Sequence, residues 1–153
     1  MSQLLVVCHC PSPNVTRLCD AAVEGARAGA DGAFEVRFCA PLEATPQDVL
    51  DSNGILLGTT ENFGYMSGAL KDFFERIYYP CLEATQGRPY ALFVKGGQDG
   101  TGARDSVERI VTGLRWRAAG EPLVMTGAMQ PGWPDRCHEL GMTLAAGIAA
   151  GIF

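Results

Sequence analysis

The stretch that decides the fold is ILLGTTENFGYMSGALKDFFERI, residues 55–77. It opens with a short apolar run, Ile55 to Gly58, which reads as a buried strand. It closes on a stripe at helical spacing, Leu70, Phe73, Phe74 and Ile77, continued by Tyr78 and Cys81. Between the two, residues 59–67 gather two Thr, an Asn, two aromatics and a Gly into a polar connection. A strand passing into a helix this way is one β-then-α unit, and similar units lie on both sides of it.

Upstream, the apolar run Leu4 to Cys8 precedes Val15, Leu18, Cys19, Ala22, Val23 and Ala26 at helical spacing. Phe34, Val36 and Phe38 then alternate with Glu35, Arg37 and Cys39, the pattern of a strand with one wet face. Thr45-Pro46-Gln47-Asp48 reads as a helix start, with Thr as N-cap, Pro at the first helical position and an acid in the first turn. Downstream, Tyr90 to Val94 and Leu123 to Met125 are strands. The stripes Val107, Ile110, Val111, Leu114 and Cys137, Leu140, Leu144, Ile148 are helices. Alternation of this kind predicts a parallel sheet covered by helices on both faces, a three-layer α/β sandwich. The alternating second strand belongs at an edge, which the strand order 2-1-3-4-5 provides. No linker or repeat interrupts residues 1–153, so a single domain is expected.

Composition narrows the function. The formal charge of −5, with 12 basic residues scattered along the chain, argues against a nucleic-acid partner, whose phosphates need clustered Lys and Arg. The start MSQLLVVCHC has no basic region ahead of its apolar run, so no secretory signal is read and a cytoplasmic location is expected. The apolar tail LAAGIAAGIF is about half the length of a membrane span and reads as the end of a docked helix or a subunit contact. The six Cys show no CxxC and no zinc-like spacing with His, so reduced thiols and no metal are expected, with a redox pair Cys8/Cys10 as the alternative.

In a sheet of this order, ligands bind beyond the carboxyl ends of the strands, near the first and third. The first such loop is His9-Cys10-Pro11-Ser12-Pro13-Asn14-Val15-Thr16. With Ser12 as N-cap, Pro13 falls at the first helical position, where its missing N–H does no harm. The amides of Asn14, Val15 and Thr16 are then expected to face an anion, joined by the Ser12 and Thr16 hydroxyls and the Asn14 side chain. Low-molecular-weight tyrosine phosphatases place a Cys-x5-Arg loop here, but six residues separate Cys10 from Arg17, and the matching position from Cys8 holds Asn14.

The second loop carries a resemblance. Gly58-Thr59-Thr60-Glu61-Asn62-Phe63-Gly64-Tyr65-Met66-Ser67-Gly68-Ala69-Leu70-Lys71 resembles the flavin-binding segment of the flavodoxin-like NAD(P)H-dependent FMN and quinone reductases. Asn14, after a turn that starts near His9, resembles their phosphate loop, and Lys95-Gly96-Gly97-Gln98-Asp99-Gly100-Thr101-Gly102 their small-residue loop after the fourth strand. Cys10, Pro13 and Val15 depart from that pattern where Ser, Gly and Thr are usual, and Thr60 replaces a common Pro. The resemblance implies a flavodoxin-like sandwich with FMN bound by His9, Cys10, Ser12, Asn14, Val15, Thr16, Thr59, Thr60, Glu61, Asn62, Phe63, Gly64, Tyr65, Met66, Gly96, Gly97, Gln98 and Gly100. It implies NAD(P)H as donor, a quinone or similar small acceptor, and a homodimer or homotetramer. The flavin would carry the chemistry, so no side chain is named catalytic.

Physical reading of the residues runs the same way: glycines at 64, 96, 97 and 100 let backbone approach a flat ring, and Phe63 or Tyr65 pack along it. Lys95 reads as a solvent-exposed lysine, with a place beside the flavin as the alternative; His138, in the final helix, reads as structural. The other functions in play are a flavodoxin-type electron carrier and a scaffold of the same fold that has lost its flavin.

Overall fold

The computed structural model describes residues 3–153. Its elements alternate as expected: β1 Gln3–Cys8, α1 Pro13–Ala30, β2 Glu35–Cys39, α2 Pro46–Leu50, β3 Ser52–Asn62, β4 Tyr65–Met66, α3 Gly68–Leu82, β5 Pro89–Gly96, α4 Thr101–Gly113, β6 Arg117–Ala118, β7 Leu123–Thr126 and α5 Trp133–Ala149. β2, β1, β3 and β5 pair in that order, all parallel, and β7 pairs parallel to β5 beyond them. Counting only these five, the order is 2-1-3-4-5, with β2 at the edge. Glu35 and Arg37 are exposed as expected, but Phe38 is exposed and Cys39 buried, the reverse of the expected alternation at that end.

Two differences from the expected elements matter. The fifth strand is split: Arg117–Ala118 pairs with Pro89–Tyr90, and Leu123–Thr126 pairs with Phe93–Gly96. Pro122, just ahead of the second piece, has no N–H to donate to a continuous ladder. The third strand is longer than its apolar run. It continues through Asn62, turns at Phe63-Gly64 and returns as β4, so the expected loop is an antiparallel hairpin.

Each face of the sheet carries its own core. Leu5, Val7, Ile55, Leu57, Leu92 and Val94 point to α3 and α4, where Leu70, Phe73, Phe74, Ile77, Val107 and Val111 meet them. Leu4, Val6, Leu56 and Phe93 point the other way, to α1 and α5. The period of two along each strand produces this division, and the apolar runs are continuous because both faces are covered.

α1 and α5 cross at backbone contact. A Cβ on Gly25 would stand 1.9 Å from the His138 carbonyl oxygen, and one on Gly141 would stand 2.1 Å from that of Ala22. His138 therefore sits at this crossing, away from the strand ends. The tail is docked: Phe153 packs on Gly147, and the amides of Gly151 and Ile152 bond back to Ile148 O (3.1 Å) and Gly147 O (2.8 Å), closing α5 with Gly151 at a positive φ of 71°. Among the described residues no helix is long and apolar enough to cross a membrane.

Gly141→Ala is expected to destabilise the protein by about 1–3 kcal/mol, because the added methyl group forces the α1–α5 crossing apart. Gly120→Ala, with open space around its Cβ position, is expected to stay within about 0.5 kcal/mol of the parent. Urea denaturation of the two variants checks both figures.

Candidate functional site

The carboxyl ends of β1, β3 and β5 lie side by side, so the three expected loops meet there. The amide of His9 donates to Gly58 O (3.0 Å), joining the first loop to the third strand. Ser12 is the N-cap of α1 and Pro13 its first residue, as read from the sequence. The donor set differs from the expected one. Val15 N–H donates to Ser12 Oγ (3.3 Å) and Thr16 N–H to Ser12 O (3.0 Å), so both are spent on the helix itself. The Thr16 hydroxyl donates to Ser12 O as well (3.0 Å), and the Val15 side chain is buried. The amides of Cys10, Ser12 and Asn14 have no hydrogen-bond partner among the described residues. They alternate with Pro11 and Pro13 at the positive end of an 18-residue helix that has no acid in its first turn. The Ser12 hydroxyl, which accepts from Val15, keeps its own proton to donate.

Charges around this loop are weak. Burial pushes the His9 imidazole below its usual range, which leaves it neutral at neutral pH. The Cys10 thiol is pushed up, first by the neighbouring Cys19 thiol and then by burial, and burial raises Cys8 too. Both stay protonated and are poor nucleophiles, which speaks against thiolate chemistry at this position. All six cysteines are free.

The hairpin is built from residues with separate duties. Thr59 is fully buried; its hydroxyl accepts from Ser67 N (3.0 Å) and donates to Thr60 O (2.8 Å). Ser67 in turn caps α3 by accepting from Leu70 N (3.1 Å). The Met66 side chain lies in the core and its amide donates to Ser106 Oγ (3.1 Å). Thr59 and Met66 therefore shape the hairpin from inside, and neither side chain is open to solvent. Asn62, Phe63, Gly64 and Tyr65 are exposed, Phe63 completely. Both turn residues are left-handed, with φ of 55° at Phe63 and 70° at Gly64, as a two-residue hairpin requires. A Cβ on Gly64 would meet nothing within 4 Å, so the constraint there is the backbone angle.

Glu61 does not face outward with its neighbours. Its carboxylate accepts from Gly100 N (2.9 Å) and Ala103 N (3.1 Å), at the start of α4. The turn also rests on that helix, since a Cβ on Gly102 would stand 2.0 Å from Gly64 O. In the third loop Gly96 is buried, while Gly97 and Gln98 are exposed. Gly100, at a φ of 82°, has its amide taken by Glu61 and so is not an open donor. Lys95 is half-buried: its Nζ donates to Gly127 O (2.8 Å) and stands 5.9 Å from the centre of the Trp133 ring. It ties the loop after β7 to β5 and is not the free surface lysine of the expected reading.

Gly102 ends the expected third loop but is not among its expected site residues, and nothing in the sequence points to Ser106. A cavity of about 460 Å³ opens beside the hairpin, lined by Tyr65, Lys71, Gly102, Asp105, Ser106 and Arg109. Among the described residues no group of three or more His, Cys, Asp or Glu is placed to hold a metal ion.

No protein-family model matches the chain. A flavodoxin of Aquifex aeolicus is 30% identical over 165 residues, an alignment spanning 97% of this chain and 88% of that protein. Among solved structures, a flavodoxin from the domain Archaea superposes with a TM-score of 0.81 at 15% identity, over 97% of this chain and 99% of that one. A flavodoxin described as WrbA-like, from Agrobacterium tumefaciens, gives 0.75 at 15% identity, over 98% of each chain. At such identities the structural likenesses show the fold alone; the Aquifex relative shows more.

Phe63→Asn is expected to raise stability of the ligand-free protein by about 0.5–1 kcal/mol. Asn tolerates the left-handed angle, and the exposed ring forfeits little packing. Urea denaturation is the check, and a loss of stability would mean that the Phe63 ring is packed after all.

Proposed function

The chain belongs to the flavodoxin family, and on that premise we propose that it holds FMN above the carboxyl ends of β1, β3 and β5 and works as an electron carrier. The observation that carries this reading is the cluster of unpaired donors at the first loop. The amides of Cys10, Ser12 and Asn14, the Ser12 hydroxyl and the Asn14 side chain suit a phosphate group. The dipole of α1 adds a favourable field, and the neutral His9 neither adds nor removes charge. The exposed hairpin residues Asn62 to Tyr65, and Gly97 and Gln98, suit the polar edge of a flat ring, and Phe63 offers it an aromatic surface. FMN, when bound, supplies the redox chemistry, accepting and releasing electrons, while the protein sets its position and electronic surroundings.

A second reading, two-electron reduction of a quinone by NAD(P)H, is favoured by the cavity beside Tyr65, where Lys71 and Arg109 flank a space large enough for a small aromatic acceptor. The likeness of residues 58–71 to the FMN and quinone reductases supports it too. FMN-loaded protein that consumes NAD(P)H with a benzoquinone favours the reductase; loaded protein that passes electrons to a haem acceptor but leaves NAD(P)H untouched favours the carrier.

The FMN reading is tested by fluorescence titration of the flavin-free protein. FMN is expected to bind at least about tenfold more tightly than riboflavin, since only FMN engages the donors at the head of α1. Equal affinities would remove the phosphate site, and no binding of either flavin would leave the chain a flavodoxin-like scaffold without cofactor.

A further inference from the structure

We infer that Glu61 is the positioning residue that sets the spacing of the two loops on the ring side of the site. The inference rests on the FMN reading above. In an ordinary capping box, the N-cap side chain takes the amide of the third helical residue, and that residue's side chain takes the N-cap amide. α2 is closed in this way: Thr45 Oγ1 accepts from Asp48 N (3.2 Å) and Asp48 Oδ2 from Thr45 N (2.8 Å). In α4 the two positions are Gly100 and Ala103, and neither has a side chain able to accept. Glu61 supplies both halves from 39 and 42 residues away, one carboxylate oxygen to each amide. α1 and α3 begin with their own Ser caps, so α4 is singular among these four in drawing its cap from the hairpin.

Three further contacts converge on the same seam. Met66 N donates to Ser106 Oγ, Gly102 meets the Gly64 carbonyl, and Gly96 lies against Gly100, where a Cβ would stand 3.1 Å from its backbone. Glu61 supplies the charged contact among them, and charge-assisted bonds to backbone amides are the stronger kind. The hairpin that presents Asn62, Phe63 and Tyr65 and the loop that presents Gly97 and Gln98 are thus bridged by one charged side chain within this seam. That side chain is itself spent on the protein, so its contribution to FMN runs through the backbone it positions.

The test compares Glu61→Ala, Glu61→Gln and, as a control, Thr85→Val. Thr85 accepts from Trp116 Nε1 (2.9 Å) in the core below, so its variant lowers stability without touching the seam. Two quantities are read: amide exchange at Gly100 and Ala103 in flavin-free protein, and the FMN dissociation constant. Glu61→Ala is expected to speed exchange at both amides and to weaken FMN by about five- to tenfold, the equivalent of one lost helix cap. Glu61→Gln, with one acceptor oxygen in place of two, is expected to recover part of both. Thr85→Val is expected to lower the melting temperature and leave FMN affinity unchanged. Parallel loss of FMN affinity in Thr85→Val and Glu61→Ala, or unchanged affinity in Glu61→Ala, overturns the inference. If the parent protein binds no FMN, the functional reading falls, and the role assigned to Glu61 at the ring falls with it. The exchange data then decide the clamp alone, which unaltered exchange in Glu61→Ala would refute.

Discussion

Three adjacent strands, β1, β3 and β5, are buried on both faces, and this constraint governs what stands above their carboxyl ends. A strand covered on both faces has to leave the sheet in the direction of the helix that covers it. α1 departs to one side and α3 and α4 to the other. The chain therefore opens between β1 and β3, and backbone amides collect at that point without a pairing strand. Site and core have one origin: the alternation of Leu4, Val6 and Leu56 against Leu5, Val7, Ile55 and Leu57 that fills both layers also sets where the loops diverge.

How those amides are used separates ligand donors from structural ones. Ser12 closes α1 from within, consuming Val15 and Thr16 and leaving Cys10, Ser12 and Asn14 open. Glu61 closes α4 from outside and consumes Gly100 and Ala103. Both caps contribute about 1 kcal/mol or more to their helices, but their consequences for a ligand differ. The first trims the proposed phosphate site to three amides, the Ser12 hydroxyl and the Asn14 side chain. The second fixes the distance between two loops. The left-handed angle at Phe63 adds strain at the exposed tip, in keeping with a surface shaped for contact and not for stability.

Much of this was legible in the sequence because periodicity and capping are local. The apolar runs 4–8, 55–58 and 90–94 placed three central strands, and the alternation at 34–37 placed the edge strand although Phe38 and Cys39 are reversed from it. Ser12-Pro13 and Thr45-Pro46 marked helix starts that the structure has. What was not legible depends on partners distant in the chain. Nothing near Glu61 shows that its carboxylate reaches residues 100 and 103, nor does anything near Lys95 show that it bonds to the Gly127 carbonyl. The hairpin was hidden because its turn places Phe, a poor left-handed residue, where Asn is usual. The donors at Val15 and Thr16 looked open because a sequence shows which amides a helix start exposes, but not which ones its cap has taken.

The most direct test of the account is an amide-resolved NMR titration of the flavin-free protein with FMN. The account predicts that the amide signals of Cys10, Ser12 and Asn14 shift on binding, together with those of Gly97 and Gln98 and the exposed hairpin residues. The amides of Val15 and Thr16, held by Ser12, and of Gly100 and Ala103, held by Glu61, should move far less. Shifts centred on some other surface, or no shifts at millimolar FMN, would contradict it.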